Sequence, residues 1–119
     1  MKNSKKIIGW VLTILAIIPP AWGVIGKLSN AEMQTHMTAL GYGDWLSIIA
    51  FGEFMAVLLF VIPKTGKIGI LLMSSLMGGA IAAHMGHGES FAMQATVLVL
   101  AWAAAFVRYP EFLNFNVTT

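Results

Sequence analysis

The sequence predicts an all-α membrane protein, specifically a four-helix transmembrane bundle. Of its 119 residues, 58% are hydrophobic and only 10% are charged, whereas a soluble domain has about 25% charged residues. The apolar residues form four runs, each long enough for a tilted helix across a hydrocarbon core of roughly 30 Å. These runs lack the alternation of apolar and polar residues that is typical of a transmembrane β-barrel. The length leaves room for one integral membrane domain, residues 1–119.

The predicted spans cover residues 7–26, 45–62, 68–85 and 91–107. Pro19 and Pro20 interrupt the first span and are expected to bend it, because they remove backbone hydrogen-bond donors. The third span carries Ser75, Gly79 and Ala83 at four-residue spacing. Small residues in this pattern allow two membrane helices to approach closely.

The first connection, residues 27–44, is longer than the other two, and its sequence predicts a short helix. Ser29 and Glu32 have the spacing of a capping box, so the helix should run from Asn30 to Leu40. Glycine is the usual residue past a helix end, and Gly41 fits that role. We expect this helix to lie along the extracytoplasmic face.

The distribution of basic residues predicts the orientation of the chain. With four spans, both termini share one side of the membrane, and that side holds six of the seven basic residues: Lys2, Lys5, Lys6, Lys64, Lys67 and Arg108. Only Lys27 lies on the opposite side. The positive-inside rule therefore predicts a multi-pass membrane protein with both termini in the cytoplasm.

Several functions are disfavoured by composition. The chain has no cysteine, which removes disulfides, thiol redox chemistry and Cys-type metal sites. Its basic residues lie at helix ends rather than in a patch with interleaved aromatic residues, so nucleic acid is not an expected partner. No complete catalytic constellation is visible, and an autonomous enzyme is not expected. The lipid bilayer is the expected surrounding, and a homo-oligomer is a candidate partner because the spans are too short for a large core.

A carboxylate, Glu53, lies within the second apolar run. A charged group at that depth is costly and normally faces a partner inside the bundle. Lys27, His84 and Gln94 are expected at a similar height in the outer half. Trp22 and Trp45 are candidate walls of a pocket there. One interpretation is a polar pocket that binds quinone or another small hydrophobic molecule, with His84 exchanging protons. The other is a structural cluster in a scaffold or accessory subunit.

A second constellation combines histidine and methionine on the outer side. Met33, His36 and Met37 share one face of the short helix, and His84, Met85 and His87 lie near the third connection. Thioether and imidazole ligands suit copper(I), and imidazole with carboxylate suits zinc or copper(II). The sequence therefore also supports a third hypothesis, extracytoplasmic copper or zinc handling.

Short motifs in a fixed order resemble the DoxX-like family, within the wider DoxX/DoxD grouping. They are Gly26-Lys27-Leu28, Leu40-Gly41-Tyr42, Gly52-Glu53, Ile62-Pro63, Gly79-Ala80, Ala83-His84 and Arg108-Tyr109-Pro110. The resemblance covers about three quarters of the chain. It implies a four-helix protein of the bacterial inner (plasma) membrane. The better-known branch is linked to thiosulfate:quinone oxidoreductase and to membrane redox complexes, so the resemblance also implies a redox partner protein as a candidate partner.

The resemblance also bears on the polar residues. Lys27, Glu53 and His84 fall on positions that the family usually fills with these residues. The chain departs from the pattern at His87 and lacks the cysteines of related thiol-oxidising branches. A sulfur-oxidising activity by this chain alone is therefore not implied.

Overall fold

The computed structural model describes residues 2–113, and that part of the chain contains helices and turns but no strand. The α-helices, in chain order, are α1 (Lys2–Ser29), α2 (Ala31–Ala39), α3 (Leu46–Val61), α4 (Gly66–Gly86) and α5 (Ala92–Arg108). Short 3-10 turns cover Gly43–Trp45, Pro63–Thr65 and Pro110–Leu113. The predicted all-α fold, with a short helix after the first long one, is confirmed.

The long helices are of the kind found in membranes. By length and composition, the stretches Asn3–Ser29, Gly43–Val61 and Pro63–Gly86 are able to cross a bilayer. The fourth apolar helix, α5, is shorter at 17 residues. Large apolar side chains on the bundle exterior are exposed, Ile48 and Phe51 among them. Such an exterior suits contact with lipid, and the chain is a membrane protein with three to four apolar helices.

The helices pack as a bundle in which α1 and α4 lie diagonally. Each of them packs against both α3 and α5. The buried core includes Phe60, Ile70 and Met73 together with small residues of α5 such as Ala101 and Ala104. This core occupies the half of the bundle where α1 and α4 begin and α3 and α5 end. The other half is less densely filled and contains a cavity.

The α1 helix continues through Pro19 and Pro20, and the bend expected at these residues stays a prediction. The short-helix cap differs from the sequence prediction. The capping-box assignment of Ser29 is wrong, because its hydroxyl donates to the carbonyl of Ile25, 2.6 Å away, within α1. Asn30 caps α2 instead, and its Oδ1 accepts a 3.0 Å hydrogen bond from the Met33 backbone N–H.

Close helix contact on α4 occurs at other small residues than those predicted. A Cβ added at Gly69 would overlap the backbone of Phe60, and one at Gly66 would overlap the Tyr109 ring. A Cβ added at Gly79 would meet no described atom within 4 Å. The prediction of close packing is therefore wrong at Gly79, where the small residue borders open space.

Candidate functional site

A cavity of about 400 Å³ lies in the half of the bundle where α1 and α4 end. All five α-helices contribute to its wall. Five of the six residues predicted to bind a ligand line it: Trp22, Lys27, Glu53, His84 and Gln94. Trp45 is not among the described residues that do so, and its side chain is largely exposed. The turn Gly43–Trp45 places Trp45 before α3 begins, outside the cavity wall.

A buried ion pair forms one side of this cavity. The Nζ atom of Lys27 lies 2.6 Å from Oε1 of Glu53, and the two side chains are only 11% and 8% exposed. Gly23, one turn before Lys27, makes room for the pair. A Cβ at that position would lie 3.3 Å from the Glu53 carboxylate and 3.4 Å from the Lys27 ammonium. The pair therefore neutralises the carboxylate that the sequence places within an apolar run.

His84 adds an imidazole near the end of α4. Its Nδ1 donates a 2.7 Å hydrogen bond to the Ala80 carbonyl, which assigns one ring proton to that nitrogen. The other ring nitrogen, Nε2, lies 3.9 Å from the Glu89 carboxylate. The side chain is 16% exposed. Because Nδ1 is used by the Ala80 carbonyl, Nε2 is the ring nitrogen of His84 that is available to a ligand in the cavity.

Gln94 contributes an amide from the first turn of α5. Its Oε1 atom is buried and has no hydrogen-bond partner among the described residues. Most buried polar atoms in proteins are paired, so an unpaired one requires an explanation. At this position the explanation is either water or a ligand within the cavity.

The short α2 helix covers the cavity with Met33, His36 and Met37. It is held at two points. The Gln34 side chain donates to the Lys27 carbonyl at the end of α1, at 3.0 Å. The Nε2 atom of His36 lies 2.8 and 3.0 Å from the two oxygens of Glu89, in the connection between α4 and α5. These contacts tie α2 to both sides of the cavity.

Small or rigid residues form part of the cavity wall. Pro19 and Pro20 contribute from α1, and Ser75, Gly79 and Ala83 contribute from α4. The small residues of α4 that suggested close packing therefore leave space for the cavity instead. No feature of the sequence alone distinguishes these two uses of a small residue.

The predicted metal ligands are only partly brought together. The rings of His36 and His84 have centroids 6.0 Å apart, and both face Glu89. The exposed His87 instead donates from Nδ1 to the Ala83 carbonyl of its own helix, at 2.9 Å. Within residues 2–113, no group of three His, Asp or Glu side chains is arranged to hold a metal ion. Copper or zinc handling by these residues stays a prediction from sequence.

Arg108 has a role that the sequence did not reveal. At the opposite end of the bundle, its guanidinium donates to the carbonyls of Phe60 and Val61, at 3.2 and 2.9 Å, and to the Thr13 hydroxyl at 3.0 Å. It also stacks over the Trp10 ring, with 4.1 Å from Cζ to the centroid. Arg108 therefore satisfies carbonyls at the end of α3 and joins α1, α3 and α5. A threonine within the apolar α1 was the one sequence signal for such a contact.

Comparison with known proteins gives one match. No curated protein and no solved structure resembles the chain significantly. The model of the DoxX-like family matches residues 10–106. This range contains most of each long helix and every cavity residue named above. The chain belongs to the DoxX-like family.

Proposed function

We propose that this protein binds a small hydrophobic molecule with a polar end, such as a quinone, in its cavity. In this proposal it is an inner-membrane subunit that serves a redox partner protein. The cavity faces the extracytoplasmic half of the membrane, and both termini lie in the cytoplasm, with α5 as the fourth span. The basic residues at the opposite end of the bundle support this orientation. Labelling of single cysteines introduced into the cysteine-free chain would test it.

The observation that carries this proposal is a cavity with polar groups on an otherwise apolar wall. Its volume of about 400 Å³ falls within the range of roughly 300–1,000 Å³ that is usual for small-molecule sites. The polar groups include the Lys27–Glu53 pair, the His84 ring and the Gln94 amide. Such a site suits a molecule whose apolar part packs against the wall and whose polar end meets these side chains.

The residues have distinct proposed roles. The Lys27–Glu53 pair supplies a fixed local dipole and holds α1 against α3 beside the ligand. His84 Nε2 accepts or donates a proton at the ligand's polar end, since imidazole is the side chain best suited to proton exchange near neutral pH. The α2 helix covers the cavity on its extracytoplasmic side and excludes water from it. No step of electron transfer is assigned to the chain, and a partner protein would carry it.

A second candidate function rests on the ion pair itself. Lys27 and Glu53 contact each other at 2.6 Å, which is what a purely structural cluster requires. In that case the protein is a non-enzymatic scaffold or accessory subunit, and the cavity is a packing defect. The two candidates differ in whether anything occupies the cavity.

Native mass spectrometry of the gently extracted protein, followed by organic extraction, tests the proposal. We expect a small hydrophobic molecule to accompany the wild type and to be depleted in Glu53→Gln and His84→Ala variants that keep their helical circular dichroism. A wild type that carries only bulk lipid, with variants that carry the same lipid, would support the scaffold instead.

A further inference from the structure

We infer that the molecule in the cavity presents a hydrogen-bond donor, namely a hydroxyl group, to Gln94. This inference rests on the proposed function and specifies the chemical class of its ligand: an apolar molecule that carries an alcohol or phenol. The Gln94 side-chain oxygen is the group that would recognise it.

The starting observation is the unpaired oxygen of Gln94. The Oε1 atom is buried, borders the cavity and accepts no hydrogen bond from the described residues. Gln94 is the third residue of α5, where a glutamine side chain often folds back to the start of its own helix. Here Gln94 Oε1 does not do so, because it accepts no hydrogen bond from the Phe91 backbone N–H or from any other described group. The oxygen is thus available to a donor inside the cavity.

Two other polar side chains of the cavity, Lys27 and His84, already have partners. The Lys27 ammonium contacts Glu53 at 2.6 Å. The N–H at Nδ1 of His84 is used by the Ala80 carbonyl at 2.7 Å. The buried atom without a partner at the cavity, Gln94 Oε1, is an acceptor, and a ligand complements it by bringing a donor. A carbonyl or ether oxygen would place two acceptors against each other, so a quinone would meet Gln94 through a hydroxyl group of its reduced, hydroquinone form.

The size of the effect follows from the burial of the acceptor. A buried acceptor left without a partner costs about as much as a hydrogen bond contributes, or somewhat more. A ligand with a hydroxyl group should therefore bind about tenfold more tightly than the same ligand with that hydroxyl blocked.

The experiment is a direct competition between two probes of the same skeleton, para-hexylphenol and para-hexylanisole. The anisole differs only by a methyl group on the oxygen, which removes the donor. The full-length protein in detergent micelles is titrated with an equimolar mixture, and native mass spectrometry gives the ratio of the two complexes. Gly79→Phe serves as the reference for non-specific uptake. Gly79 lines the cavity, and a Cβ at this position meets no described atom within 4 Å. The phenylalanine ring should therefore occupy space within the cavity and obstruct the binding of either probe.

We expect about a tenfold preference for the phenol in the wild type. In Gln94→Leu the preference should fall to about onefold, because neither probe then meets the side-chain oxygen that distinguishes a donor from an acceptor. Equal binding of both probes above the Gly79→Phe reference would overturn the donor inference and leave the proposed binding function intact. A preference that persists in Gln94→Leu would overturn the assignment to Gln94. Binding of neither probe above the reference would overturn the inference together with the proposed function.

Discussion

Replacing Lys27 by methionine should destabilise the protein strongly, because it leaves the Glu53 carboxylate buried without its cation. At the observed 2.6 Å separation, the attraction between the charges is about 6 kcal/mol at an effective dielectric constant of about 20. Desolvation of both ions offsets several kcal/mol of that attraction. Removing one partner of such a buried pair costs about 3–5 kcal/mol.

The reverse change, Glu53→Gln, should cost less, about 1–2 kcal/mol. Lys27 lies two residues from the end of α1, so an unpaired ammonium there is able to extend towards water. Glu53 lies half-way along α3 and has no such route. The double variant Lys27→Met/Glu53→Leu removes both charges. Its free energy of unfolding should lie within about 1 kcal/mol of the wild-type value.

Reversible unfolding by dodecyl sulfate in mixed micelles, followed by circular dichroism, gives these free energies. The coupling between the two positions comes from the double-mutant cycle. Single variants that each cost less than about 1 kcal/mol, or a double variant whose loss equals the sum of the single losses, would refute the view that this is a desolvated pair. A larger loss of stability in Lys27→Met than in Glu53→Gln would independently support the difference in depth between the two charged groups.

Three further predictions concern the other end of the bundle. Gly69→Ala should destabilise by about 3 kcal/mol in the same unfolding assay, whereas Gly78→Ala, whose Cβ meets no described atom within 4 Å, should be neutral; equal effects would contradict the close backbone contact. Arg108→Lys should cost about 2 kcal/mol, because a single ammonium cannot reach all the acceptors; an unchanged unfolding midpoint would rule this out. A hydrogen bond from its own backbone N–H, and then Lys67, lowers the pKa of the exposed Glu111 carboxyl. The ionised Glu111 carboxylate therefore stabilises the folded protein slightly. This stabilisation is present above the unfolded-state pKa of the carboxyl and is lost as the pH falls through its folded-state pKa. Carboxyl NMR titration should show that pKa rising in Lys67→Met, and an unmoved titration would contradict the contact.

The helical fold was predictable because it depends on composition and run length. Long apolar segments separated by short polar connections leave few alternatives in lipid. The short helix was also predictable, although its cap was not. Ser29 and Asn30 are neighbouring residues of the types that cap helices, and only the end point of α1 decides which of them does so.

The candidate site was predictable in part. Glu53 and Lys27 draw attention because charges are rare in apolar segments, and the two do contact each other. Trp45 could not be placed, because an aromatic residue at a helix end serves equally as a membrane-interface anchor or a cavity wall. The cavity itself depends on the three-dimensional separation of α1 from α4, which no local sequence pattern encodes.

The use of small and basic residues was the least predictable feature. Gly69 and Gly79 lie on the same helix in similar apolar surroundings, yet one touches a neighbouring backbone and the other borders the cavity. Arg108 satisfied the positive-inside rule, so its position needed no further explanation from sequence. Its hydrogen bonds to the end of α3 became evident only from the packing.

The most direct test of the central claim compares Gly79→Phe with Gly78→Phe. A Cβ at either glycine meets no described atom within 4 Å, but only Gly79 is among the residues that line the cavity. Each variant is purified in parallel with the wild type, and native mass spectrometry measures the small molecules that remain bound. We expect the wild type and Gly78→Phe to retain the same hydrophobic molecule and Gly79→Phe to lose it. Equal retention by both variants, or an empty wild type, would contradict a ligand in this cavity.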